Sequence, residues 1–179
     1  MKKIIALLLI LVFASSSCEP DDICDPTTPT TPRMLIQFYD KVNPSVLKNV
    51  TNLKVIGKGM SEGVVLTPNG IGDNKYITSG NNILLPLNTD AGTVYYKFII
   101  NFGDKNALLV DTDILEFKYT HENVYVSRAC GYKTIFSLDN LTPFTLTDAS
   151  PADGLWINYV SVVKNNITLE NETIIKIFF

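Results

Sequence analysis

Between residues 93 and 101 the side chains alternate. Val94, Tyr96, Phe98 and Ile100 stand against Tyr95, Lys97, Ile99 and Asn101, which is the two-residue period of a strand buried chiefly on one face. Leu115, Phe117 and Tyr119 alternate still more cleanly with Glu116, Lys118 and Thr120. Shorter runs rich in Val, Ile, Thr, Tyr and Phe predict strands at 34–39, 53–57, 64–67, 75–79, 83–87, 124–129, 134–137, 144–147, 155–163 and 173–179. Turn chemistry separates them, as in VNPS (42–45) and PNGIGDN (68–74), and one helical turn is expected at 45–50. About ten short strands with turn signals at this spacing and little helix predict an all-β fold, an antiparallel β-sandwich of two packed sheets, immunoglobulin-like or similar. A membrane barrel is a poorer fit, because its strands need ~9–11 residues with an apolar outer face.

One apolar run follows neither period. Lys2 and Lys3 precede an unbroken apolar stretch from Ile4 to Ala14, and Ser15, Ser16 and Ser17 close it. That is the layout of a secretory signal peptide. It is too short to span a bilayer, which takes ~20 apolar residues. The small residues before Cys18 resemble the bacterial lipoprotein signal, although Ser15 stands where leucine is commonest. The resemblance implies that Cys18 becomes the first mature residue and carries acyl chains such as palmitate. Each buried methylene of such a chain contributes ~0.8 kcal/mol, and two chains give stable attachment. Glu19, Asp21 and Asp22 are similar to the export tag that sends such lipoproteins to the outer face of the outer membrane.

Removal of residues 1–17 leaves 162 residues, enough for one domain with its own core. Without Lys2 and Lys3 there are 13 basic residues against 18 acidic ones, a charge of about −5, and no basic cluster longer than a pair. Nucleic acid is therefore not an expected partner, since phosphate binding demands a concentrated positive face. With Cys18 lipidated, Cys24 and Cys130 are the remaining thiols in an oxidising compartment, and a disulfide between them is expected. Pro26, Pro29 and Pro32 recur at intervals of three in DPTTPTTP (25–32), which predicts a stiff polyproline strap.

Candidates for chemistry are few. Cys130 with His121 lacks an orienting third group, and two cysteines with one histidine fall short of a zinc site. His121 continues the face of Leu115, Phe117 and Tyr119, so it is expected to be half-buried. Asp111 and Asp113 in VDTDIL, with Asp73 and Asp104 in Asn/Gly turns, offer carboxylates but match no spaced calcium loop. Trp156, Tyr159, Tyr95 and Tyr96 are the candidate aromatic platform for a sugar ring, against the ordinary use of strand aromatics in packing. No catalytic residue, cofactor site or metal site is assigned, and a non-enzymatic protein is expected.

CEPDDIC (18–24), TPR followed by LIQFYD (31–40, around Met34) and YVSRACGY (125–132) together resemble an uncharacterised flavobacterial (Bacteroidota) lipoprotein family, the domain of unknown function 6452 family. The likeness covers nearly the whole mature chain and implies a lipid-anchored, secreted β-rich domain without any transferable activity. The expected layout is a leader at 1–17, an acidic and Thr/Pro-rich tether at 18–32 and one β-sandwich at 33–179. The expected role is a non-catalytic binding or structural accessory at the outer membrane, facing the periplasm or the surface. A carbohydrate-binding surface module is the alternative, and a hydrolase a distant third. The membrane is met through the N-terminal lipid, and another outer-membrane protein or a glycan is the candidate partner.

Overall fold

The computed structural model describes residues 23–28 and 30–179. The leader, Cys18 and the acids Glu19, Asp21 and Asp22 lie outside the described residues. The chain divides into two compact units, one of residues 29–123 with 134–179, the other joining the N-terminal segment to residues 124–133.

Eleven strands are found among the described residues: β1 (Met34–Tyr39), β2 (Leu53–Gly57), β3 (Ile77–Thr78), β4 (Asn82–Leu85), β5 (Thr93–Ile100), β6 (Asp111–Ser127), β7 (Gly131–Leu138), β8 (Phe144–Asp148), β9 (Tyr159–Val162), β10 (Asn166–Ile167) and β11 (Thr173–Phe178). They form the expected two-sheet, all-β architecture. One sheet has the order β4-β1-β11-β9, and the other runs β10-β7-β6-β5-β2-β3 with β8 also paired to β6. Among the described strand pairs whose register is defined, all are antiparallel except β1 with β11, which run parallel. Lys118 shows how β7 and β8 share one edge of β6. Its carbonyl accepts from Asp139 N–H at 2.9 Å and its N–H donates to Pro143 O at 3.0 Å, so β8 takes over where β7 leaves off.

Alternation explains the core. Met34, Ile36 and Phe38 of β1, Tyr96 and Phe98 of β5, Leu115, Phe117 and Tyr119 of β6, and Ile175 and Ile177 of β11 all point inward and are buried. Phe38, Phe98 and Phe117 are the largest wholly buried side chains, each contributing roughly 1.5–3 kcal/mol by leaving water.

Several expected elements differ. The two strands expected around 115–120 and 124–129 are parts of one strand of 17 residues. The four strands of the opposing sheet have four to six residues each. The buried alternation of β6 ends at Tyr119, and His121 is exposed rather than half-buried. Residues 64–67 form no strand, although Val64 is buried. Of 155–163 only Tyr159–Val162 is a strand. The helical turn expected at 45–50 is absent. Asp40 Oδ1 accepts from the N–H groups of Val42 and Asn43, and Val46 N–H closes a turn onto Asn43 O, so a local side-chain acceptor outcompetes the helix.

The smaller unit is organised by Cys24 and Cys130, which form a disulfide with Cα atoms 4.9 Å apart. Thr28 N–H donates to Asp25 O at 2.9 Å, and the Asp25 carboxylate accepts from Thr27 N–H and Oγ1. Pro26 consequently lies in a turn, not in a continuous polyproline strap, because the Asp25 side chain bends the backbone back on itself. Across the hairpin, Tyr125 and Tyr132 meet edge to face at 5.5 Å. Gly131, at φ 69°, adopts the left-handed conformation that leads out of the turn.

Candidate functional site

Within the larger unit, carboxylates converge at one end of the β5-β6-β8 sheet. Asp111 and Asp113 share a face of β6, the same face that Leu115 and Phe117 turn to the core. Asp148, at the end of β8, lies directly opposite Asp113 in the register. Opposed residues of an antiparallel pair hold their Cβ atoms roughly 5 Å apart. The segment after β8 then returns across this end of the sheet. Gly154 N–H donates to Asp148 Oδ2 and Ile157 N–H donates to Asp113 Oδ2, both at 2.8 Å. Gly154 does so at φ 110°, a conformation that glycine adopts without strain. Asp153, exposed on the same segment, brings a further carboxylate. Oxygens of Asp111, Asp148 and Asp153 lie within 4.8 Å of one another.

The electrostatics follow from burial. Asp113 is wholly inaccessible to solvent. Its carboxyl is pushed up to about 6, first by loss of water and then by the charges of Asp111 and Asp148, with the Ile157 N–H bond acting in the opposite direction. Asp111 is raised too, by burial and then by the charge of Asp153. One buried oxygen of each of Asp111, Asp113 and Asp148, the Oδ1 in every case, has no hydrogen-bond partner. Among the described residues, the ion pairs all lie elsewhere, as in Arg33 with Glu170, Lys48 with Asp40 and Lys164 with Glu172.

The four aromatics singled out from the sequence do not form one surface. Tyr96 is buried, its hydroxyl donating to Pro86 O, while its neighbour Tyr95 faces outward beneath the Lys58 ammonium at 5.2 Å. Tyr95 lines a groove of about 550 Å³ along β2 and β5, together with Met60, Lys97 and Ile114. Trp156 is half-buried, donating from Nε1 to Phe98 O at 3.1 Å with its ring edge-on to Phe179. Tyr159 belongs to a different aromatic array. Tyr39 of β1, Phe178 of β11 and Tyr159 of β9 are cross-strand neighbours on the outer face of the four-stranded sheet. Their ring centroids are 5.5 and 5.6 Å apart, with interplanar angles of 33° and 38°. Lys176 Nζ stands 4.8 Å from the Tyr39 ring, and Tyr159 is 61% exposed. The array was hidden in the sequence because it needs the β1/β11 and β9/β11 registers, which join residues from the two ends of the domain.

A family model described as "Family of unknown function (DUF6452)" matches residues 52–179. No curated protein and no solved structure matches the chain.

Proposed function

We propose that this chain, which belongs to the DUF6452 family of unknown function, is a lipoprotein held at the outer membrane by acyl chains on Cys18, where its β-sandwich serves as a non-catalytic binding or structural accessory. The Cys24–Cys130 disulfide carries this reading, because such bonds persist in oxidising compartments outside the cytosol. The bond also sets the tether. Five residues, 19–23, separate Cys18 from Cys24, which spans about 17 Å at ~3.3 Å per residue. An attachment point so close to the bilayer suits partners in or against the membrane. Fractionation tests the anchor. The wild-type chain is expected in the outer-membrane fraction, and Cys18→Ala is expected to shift it to the soluble fraction. Recovery of the wild type in the soluble fraction, or no effect of the substitution, contradicts the reading. Glu19, Asp21 and Asp22 act together as the surface-export tag. Protease shaving of intact cells is expected to lose the protein from the accessible pool when all three are replaced by alanine.

A carbohydrate-binding role is the second reading, and the Tyr39–Phe178–Tyr159 array favours it. Three rings from adjacent strands, one of them well exposed, offer apolar faces against which the C–H faces of a sugar can pack.

A further inference from the structure

Resting on the carbohydrate-binding reading of the Tyr39–Phe178–Tyr159 array, we propose that its ligand is an acidic glycan, a polysaccharide of uronic acids whose carboxylate pairs with the Lys176 ammonium.

The register places a polar row beside the aromatic one. Gln37 of β1 and Ser161 of β9 both stand opposite Lys176 of β11, just as Tyr39 and Tyr159 both stand opposite Phe178. Each polar residue is two positions along its strand from the ring beside it, so all six share the outward face. The residues between them, Phe38, Val160 and Ile177, are buried in the core. Two steps of strand rise separate the rows by about 7 Å. One row offers apolar ring faces and the other offers hydrogen-bonding groups, which matches the C–H faces and the hydroxyls of a sugar. The Tyr39 hydroxyl donates to Gln37 Oε1 at 3.0 Å, which ties the rows together and leaves the Gln37 amide N–H groups to donate to a ligand.

Charge selects the class of glycan. Lys176 Nζ stands 4.8 Å from the centroid of the Tyr39 ring, and both of its register neighbours, Gln37 and Ser161, are uncharged. None of the ion pairs among the described residues includes Lys176. Asp40, the acid that follows Tyr39, is engaged by Lys48 and by the N–H groups of Val42 and Asn43. A neutral sugar packed on the rings would leave the ammonium without a counter-charge. A uronate brings one on the same ring that stacks, and a charge-assisted hydrogen bond is roughly twice as strong as a neutral one.

The test uses the purified full chain and three polyuronates: polygalacturonate, alginate and polyglucuronate. Each is paired with its carboxyl-reduced form, in which the same linkages carry hydroxymethyl groups instead of carboxylates, and binding is read by affinity electrophoresis at low ionic strength. The wild type is expected to bind at least one polyuronate, and to bind the reduced form at least about threefold more weakly, the scale of a partly exposed ion pair. Sodium chloride is expected to narrow that difference. Lys176→Gln is expected to abolish the preference without weakening the reduced polymer, and Lys176→Arg to keep it, because the charge remains. Tyr159→Ala is expected to weaken both forms by the same factor. Equal binding of the two forms by the wild type, a preference that survives in Lys176→Gln, or one that salt leaves unchanged overturns the acidic class while the carbohydrate reading stands. Binding to neither form of any polymer, or no effect of Tyr159→Ala on either form, overturns both.

Discussion

Cys24 and Cys130 are 106 residues apart in the sequence and covalently joined in the structure. The oxidised, denatured protein without its leader is expected to contain no thiol that reacts with Ellman's reagent, provided Cys18 carries its thioether. Replacing Cys24 and Cys130 together by serine is expected to lower stability by on the order of 4 kcal/mol or less, the scale of loop closure for a ring of this size. Denaturant midpoints of the two proteins check the second expectation, and equal midpoints would show that the bond constrains nothing of consequence.

Phe98 tests the shared core. It is wholly buried on β5, and its carbonyl also accepts the Trp156 indole N–H. Phe98→Ala is expected to cost about 3–5 kcal/mol through lost burial and the cavity left behind. Urea unfolding measures this directly. A loss below ~1 kcal/mol would contradict the placement of this ring at the centre of the packing.

Arg33 and Glu170 predict a pH dependence. The Arg33 side chain donates from Nε to Glu170 Oε1 at 2.8 Å and from Nη2 to Oε2 at 2.9 Å, and its backbone N–H adds a third bond. These bonds hold the Glu170 carboxyl below its ordinary value of 4.5. A depressed acid pKa contributes stability above the unfolded value, and that contribution is lost as the pH falls through the folded one. The pair is partly exposed, so its contribution is modest, under about 1 kcal/mol. Glu170→Gln is expected to lower the urea midpoint slightly at pH 7 and to converge with the wild type well below pH 4.5.

Tyr159 separates the two functional readings. Tyr159→Ala removes the exposed end of the array from an edge position, so Tm is expected to stay close to that of the wild type. Binding to an immobilised polysaccharide panel is expected to fall by up to about tenfold for any glycan held by stacking on these rings, in line with the ~0.5–1.5 kcal/mol that aromatic stacking contributes beyond area burial. Absence of wild-type binding across the panel would remove the carbohydrate reading and leave the accessory role.

The sequence conveyed the architecture because one-face burial leaves a period of two, visible in Val94 to Ile100 and in Leu115 to Tyr119. Asp111 and Asp113 carried a partial signal, since they occupy the same parity as Leu115, Phe117 and Tyr119 and so had to face inward. What the pattern lacked was register. Asp148 stands opposite Asp113 through β8, and Asp153 approaches Asp111 and Asp148 through the following segment, and neither approach is written in spacing along the chain. Register likewise hid the Tyr39–Phe178–Tyr159 array, and it separates Tyr159 from Tyr95, Tyr96 and Trp156. The continuous β6 looks like two strands in the sequence because THEN, residues 120–123, breaks the apolar alternation. Strand pairing with β7 carries the backbone through it, a tertiary effect that local preference does not contain.

Acylation of Cys18 is the claim on which the cellular reading rests, and mass spectrometry of the amino-terminal peptide from membrane-extracted protein tests it most directly. The predicted result is a chain beginning at Cys18, with residues 1–17 removed and a diacylglyceryl thioether on its sulfur. A chain that retains Met1 to Ser17, or one that starts at an unmodified Cys18, would contradict the account.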